Sequence, residues 1–383
     1  MKVPLMKGQI IVNGLPLALG HVGLASYTRR LCWLLVDSFS VAHVRVLLPS
    51  YAAIPDFDLP REIIEHVDCV PLVSHNLVSG IQMEWSIGRY AERKYPDGLF
   101  FSPGPFSAPL PRRSIVVLHD VIYRRFRRYD GKFFIRGFFN RLPERVARKA
   151  ARVLTVSEFS RKEIAATTKI CPDNILVVHN WLEESFFSAP SQTAPAGVCE
   201  KYKLPRRFWL YLGGYDYRKN VEFLIRAYAE AVKKVPCPPL VLAGKIPMDL
   251  RKPYCDVYRT LAETGMKPGQ IIMPGFIEDS DLPELYRSAE LFVFPSLMEG
   301  FGYTPAEAMT CGCPTFVADN SSLREVVADA GYRFSTDSAS RLTNMLASAT
   351  LCPPKPNACA IDLSAQRAQS QLLPILEKVS YQL

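Results

Sequence analysis

The chain of 383 residues has ten cysteines, yet no Cys-x-x-Cys pair and no His/Cys cluster at zinc spacing. Neither a structural zinc site nor a thioredoxin-type redox centre is therefore written into it. The scattered cysteines read mostly as buried thiols of a reducing compartment. No apolar run approaches the roughly 20 residues that a membrane helix needs. The segment from Met1 to Gly14 carries no secretory cleavage pattern and runs straight into a strand-like stretch. The expectation is a soluble, cytoplasmic protein, or one held only at a membrane surface. The glycines after the first strand do not form Gly-x-Gly-x-x-Gly, and no candidate nucleophile stands out.

Acidic residues are scarce in one region. The net charge is +9. Between Arg112 and Arg152 thirteen lysines and arginines face only Asp120, Asp130 and Glu144, so the rest of the chain is close to neutral. Aromatic residues run through the same stretch, among them Tyr123, Phe126, Tyr129, Phe133, Phe134, Phe138 and Phe139. Nucleic acid could use such a surface. So could an anionic membrane, with rings entering the headgroups. The plain alternative is core rings beside solvated arginines.

At this length two domains are expected. Short β-branched and aromatic runs recur at Gln9–Val12, Val44–Leu48, Leu99–Phe101, Ser114–Leu118, Val153–Val156 and Ile175–Val178. Helix-period segments separate most of them; Leu24, Tyr27, Leu31, Leu34 and Leu35 mark one helix. Ser188–Gly197, rich in Pro, Ser and Ala, reads as a linker region. The alternation then restarts at Phe208–Leu212, Leu240–Leu242, Ile271–Met273, Leu291–Phe294 and Thr315–Val317. This predicts two doubly wound α/β domains, residues 1–187 and 188–363, with a closing helix at 364–383. Ligands of such sheets bind outside the carboxyl ends of the strands.

Several predicted strand ends carry chemistry. Gly20-His-Val-Gly23 opens a helix and could bring backbone amides to an anion. His119-Asp120 follows Ser114–Leu118. Gly213-Gly214 leads to Arg218 and Lys219, a planar fork and a point charge suited to a diphosphate, just before a helix at Val221–Val232. Met298-Glu-Gly-Phe-Gly-Tyr-Thr-Pro-Ala-Glu-Ala-Met309 places Glu299 and Glu307 around a glycine loop. Thr304-Pro-Ala-Glu307 reads as a capping box and Gly312 as the helix stop. Carboxylates beside a phosphate seat cannot attract it, so their task lies with neutral donors, hydroxyls being the obvious candidates. That arrangement suits a nucleotide sugar.

The block from Phe294 to Pro314 resembles the Glu-x7-Glu signature of retaining GT-B glycosyltransferases, glycosyltransferase family 4. The resemblance extends to Val153–Ser160, Val178–Asn180 and Asp319–Val327. It implies a GT-B fold with an acceptor-binding first domain and a donor-binding second one. It also implies that Glu299 holds donor-sugar hydroxyls and Glu307 the ribose. Phe301, Gly302, Tyr303 and Thr304 would line the donor, and Arg218 and Lys219 would hold the diphosphate. Gly275, Phe276 and Ile277 match the segment that cradles the base. His119 would contact the sugar near the reacting carbon, and Gly20 and Gly23 would approach phosphate and acceptor. Many members have Gly-Arg where this chain has Gly213-Gly214, which leaves the phosphate charge to Arg218 and Lys219. Ala25 stands where a second glycine is common.

The implied reaction moves a hexose, mannose from GDP-mannose first among the candidates, to a lipid-linked or oligosaccharide acceptor with retention. It would run front-face and without a metal or other cofactor. The triplets Asp56-Phe-Asp58 and Asp279-Ser-Asp281 could hold a metal, but they lie away from the glycine loops. A lipid-linked acceptor makes a membrane the expected partner of Arg112–Arg152, at the cytoplasmic face of the inner membrane, with no nucleic acid. A nucleotide-sugar epimerase and a non-catalytic nucleotide-sugar binder are the alternatives.

Overall fold

In the computed structural model the β-branched runs form two sheets in which every pairing is parallel. The structure describes residues 8–18, 22–50, 59–67, 77–104, 110–126, 142–188, 194–247 and 254–381. Gly20, Asp56, Asp58 and the centre of the basic stretch, residues 127–141, lie outside them.

The first sheet comprises β1 (Ile10–Asn13), β2 (Val44–Pro49), β3 (Ile64–Val67), β4 (Leu99–Ser102), β5 (Ser114–Val117), β6 (Arg152–Thr155) and β7 (Ile175–Val177). Their spatial order is β3-β2-β1-β4-β5-β6-β7. Successive strand residues point to opposite faces, and β1 shows the consequence. Ile10 and Val12 join one apolar cluster, with Tyr27, Leu31, Leu34 and Leu35 of the helix Val22–Phe39. Ile11 joins the other, with Ile87 and Ala91 of the helix Leu77–Lys94. Burial on both faces explains why the strand is an unbroken apolar run.

The second sheet comprises β8 (Trp209–Leu212), β9 (Leu240–Ala243), β10 (Ile271–Gly275), β11 (Leu291–Phe294), β12 (Thr315–Ala318) and β13 (Arg333–Phe334), in the order β10-β9-β8-β11-β12-β13. This is the doubly wound order, with its reversal between β8 and β11.

The last helix, Ala365–Tyr381, belongs to the first sheet's core. Ala368, Leu372, Leu376 and Val379 are buried there at helical spacing, and Gln369 Nε2 donates to Ser38 Oγ at 2.7 Å. The described residues divide into two units. One runs to Val121 and includes Leu142–Trp181 and the chain from Leu363; the other holds Ile122–Phe126 and Leu182–Asp362. The division precedes the expected boundary at 187 because Arg287 Nη2 donates to the carbonyls of Ser185, Phe186 and Ser188. Part of the presumed linker is the helix Ala194–Lys201. Of the nine described cysteines, all free, only Cys32, Cys255 and Cys313 are buried, so the expectation of mostly buried thiols is too broad. No described helix is long and apolar enough to cross a membrane.

Candidate active site

At the reversal of the second sheet the loops after β8 and β11 leave the same edge, and the two strands are hydrogen-bonded neighbours. The β8 loop turns at Gly213-Gly214, where Tyr211 Oη donates to the Gly214 carbonyl at 2.5 Å. A single 3-10 turn, Tyr217–Lys219, carries both cations, and Asn220, with φ of 56°, redirects the chain into the helix Val221–Lys234. Leu297 N–H donates to the Arg218 carbonyl at 2.8 Å, joining this loop to the one after β11.

Glu299 is nine-tenths buried in that second loop. Its Oε1 accepts from Ser296 Oγ at 2.6 Å, Arg218 Nη1 at 2.7 Å and Lys219 Nζ at 2.8 Å. Among the described residues all its side-chain hydrogen bonds fall on Oε1, leaving Oε2 able to accept one more. Burial pushes this carboxyl's pKa up, but the charges of Lys219 and Arg218 outweigh that and bring it down to about 2. Arg218 Nη1 also donates to the Met298 carbonyl, and its Nε lies 3.4 Å from Asp216 Oδ1. The loop after β12 fixes the backbone around Glu299. Ser321 Oγ accepts its N–H at 3.0 Å, Ser322 Oγ donates to the carbonyls of Glu299 and Phe301, and Asn320 Nδ2 donates to the Ser296 carbonyl.

The helix Tyr303–Thr310 differs from the sequence expectation. Its N-cap is Gly302, at φ 103°, a left-handed conformation that favours glycine. A Cβ there would also meet Leu323 Cδ2 at 2.9 Å. Thr304 lies inside the helix, and its buried Oγ1 has no hydrogen-bond partner among the described residues. The capping box is therefore absent: the turn is made one residue earlier by backbone conformation, which the Thr-x-x-Glu spacing does not register. Glu307 is freed from that task. It is buried, and its Oε2 accepts from Tyr286 Oη at 2.8 Å. The expected stop is present, with Gly312 N–H donating to Met309 O and Cys313 N–H to Ala308 O.

Phe301 is buried edge-on to Tyr303, with ring centroids 5.5 Å apart. Gly275 closes β10, Ile277 is buried, and between them Phe276 is 58% exposed. Tyr202 holds this segment, accepting the Glu278 N–H and donating to Asp281 Oδ2. Lys201 Nζ also binds Asp281 at 2.6 Å, so that carboxylate of the Asp279-Ser-Asp281 triplet already has a cation and a hydroxyl.

Two expected site residues belong to the first unit and are described there. His119 follows β5, donates through Nε2 to the Pro103 carbonyl at 3.0 Å and packs edge-on against Tyr27. Burial pulls its pKa down to about 4, so at neutral pH it is an uncharged imidazole whose Nδ1 can accept. Gly23 is exposed in the first turn of Val22–Phe39. The second unit gathers Glu299, Arg218 and Lys219 at one point. Sequence reasoning missed Ser296, Tyr286, Ser321 and Ser322, whose roles depend on contacts between loops. The blocks Phe294–Pro314 and Asp319–Val327 contain Ser296, Ser321 and Ser322, but their pattern assigns these serines no task.

Residues 23–186 match the family described as Glycosyltransferase Family 4, and residues 200–361 the one described as Glycosyl transferases group 1. The O-antigen chain mannosyltransferase B of Escherichia coli is 34% identical over 245 residues, 63% of this chain and 62% of that protein. The Escherichia coli serotype-specific mannosyltransferase WbdA is 35% identical over 226 residues, 57% of this chain and 27% of that protein. The matches thus span less than two thirds of these relatives. Among solved structures, Anabaena Alr3699/HepE in complex with UDP and glucose has a TM-score of 0.64 at 18% identity, covering 97% of this chain and 95% of that one. WaaG, a glycosyltransferase involved in lipopolysaccharide biosynthesis, has 0.63 at 16%, covering 97% and 98%. Both share the fold, two parallel-sheet Rossmann-like domains of GT-B type.

Proposed function

The chain belongs to glycosyltransferase family 4, of GT-B architecture, and from that premise we propose that it transfers a hexose with retention from a nucleotide diphosphate to a glycan or lipid-linked acceptor. Mannose, from GDP-mannose, is the sugar we favour, because the curated relatives at 34% and 35% identity are named mannosyltransferases. The process we favour is cell-surface polysaccharide synthesis. The observation that carries the reading is the meeting of Glu299, Arg218 and Lys219 at the switch point of the second sheet. There a helix N-terminus and two cations can stabilise a departing diphosphate. Glu299 Oε2 is suited to a sugar hydroxyl and the Glu307 carboxylate to the ribose, with Phe276 as a platform for the base. The neutral His119 suits acceptance from a hydroxyl. The departing phosphate itself takes the acceptor's proton as the new glycosidic bond forms on the same face.

The test is to incubate the purified protein with a panel of nucleotide sugars and a lipid-linked mannose-terminated acceptor, analysing products. Glycan extension with mannose is expected, unchanged by EDTA. Silence with every donor would refute the reading, and loss of transfer in EDTA would refute metal independence. A nucleotide-sugar product formed without acceptor would show an epimerase. We place the protein at an anionic membrane surface through the basic-aromatic stretch 112–152. Flotation with anionic liposomes at low salt, lost at high salt, is expected there.

A further inference from the structure

The carboxylate that the donor reading gives to a sugar is already bonded to both cations that the same reading gives to a diphosphate. The charges nearly cancel. Arg218 and Lys219 face Glu299, and Asp216 lies 3.4 Å from Arg218. A diphosphate entering this cluster therefore meets no unspent positive pair. It meets two cations with a buried anion between them, and proximity to that anion is repulsive.

We infer that donor binding is an exchange of anions: the diphosphate takes Lys219 and Arg218 from Glu299 Oε1, and the released oxygen then joins Oε2 in receiving the sugar hydroxyls. This rests on the donor-site reading and adds an order to it. The parts allow the exchange. Lys219 Nζ makes its hydrogen bond to Glu299 Oε1 and has two further N–H groups to offer. Ser296 Oγ can remain on Oε1 when the cations leave, so the buried carboxylate keeps a donor. The bonds from Ser321 and Ser322 hold the Glu299 backbone while its side chain changes partners. The consequence is coupling within one substrate. A free sugar finds only Oε2 open to its hydroxyls, whereas a sugar carried on a diphosphate brings the group that also disengages Oε1. The site then selects nucleotide diphosphosugars over free sugars without needing a tighter pocket.

A double-mutant cycle tests the exchange. GDP and UDP are titrated calorimetrically into the wild-type protein, Glu299→Gln, Lys219→Met and the double variant. Under exchange, Glu299→Gln binds the nucleotide about tenfold tighter when Lys219 is present, because no ion pair has to be broken. In the Lys219→Met background the gain shrinks to about twofold, as coupled neighbours require. Equal gains in both backgrounds mean that Glu299 merely repels phosphate through space. The exchange then fails and the donor site stands. If neither nucleotide binds any of the four proteins, the donor reading fails and takes the exchange with it. Should Glu299→Gln not fold, Glu299→Asp withdraws the carboxylate from the cations and is expected to change affinity in the same direction. No change with that variant would also overturn the exchange.

Discussion

Among the described residues, one carboxylate oxygen of Glu299 collects three donors while the other collects none. That asymmetry makes the residue a counter-ion as well as a candidate ligand. Its removal should therefore act on stability and on turnover. Glu299→Ala would remove the carboxylate that Lys219 and Arg218 share, with Asp216 still beside Arg218, at a cost of about 3 kcal/mol in chemical denaturation. Glu299→Gln keeps the shape and should lower kcat by roughly two orders of magnitude, the scale of losing one directed transition-state contact. An unchanged kcat would remove the residue from the chemistry. The acid side carries a second expectation. The folded pKa, about 2, lies below the ordinary carboxylate value of 4.5, so the ion pair's stabilisation is complete above pH 4.5 and declines as pH falls towards 2. Melting temperatures from pH 6 to 3 should fall less steeply in Glu299→Gln than in the wild type. The individual acids and cations were legible in the sequence. That they bind one another was not, because 80 and 81 residues separate the partners and only the strand order brings them together.

The loop from β11 into the helix Tyr303–Thr310 gets its shape from backbone conformation and from the serines behind it. Gly302→Ala would force a Cβ into a left-handed conformation and against Leu323, costing about 1–2 kcal/mol. Because Phe301 and Tyr303 flank the turn, donor affinity should weaken with it. A variant of wild-type stability and wild-type KM would show that the turn tolerates a side chain. Elements with buried apolar runs were read correctly from their patterns: β1, β2, β4, β8, β9, β11 and β12 fall within a residue or two of expectation. β3 and β13 were missed for a physical reason. Both are edge strands; β3 contains Glu65 and His66, and β13 is only Arg333-Phe334, so neither shows a continuous apolar signal. The misread capping box shows that spacing alone cannot identify a cap when glycine already supplies the turn.

Across the whole molecule the path of the chain matters as much as either sheet. The chain leaves the first unit at Trp181 and re-enters it at Leu363, and His179 N–H donates to Gln371 Oε1 beside that return. The two-domain plan and the closing helix were readable from composition shifts and periodicity, whereas the exact crossing was set by Arg287 and its carbonyls. Deleting residues 365–381 should uncover the surface that Leu372, Leu376 and Val379 cover. At about 1.5–3 kcal/mol per buried aliphatic side chain, the loss approaches the stability of a typical domain. Calorimetry should then show the first unit's transition lost and the second's retained. Two intact transitions would mean that the helix is dispensable.

The same return path sets a timetable on the ribosome. The half that is translated first cannot complete its interior until the helix Ala365–Tyr381 has emerged, whereas the second unit has all its described strands earlier. The early segments must therefore wait with part of their apolar surface uncovered, and a chaperone or an early partner has that interval in which to act.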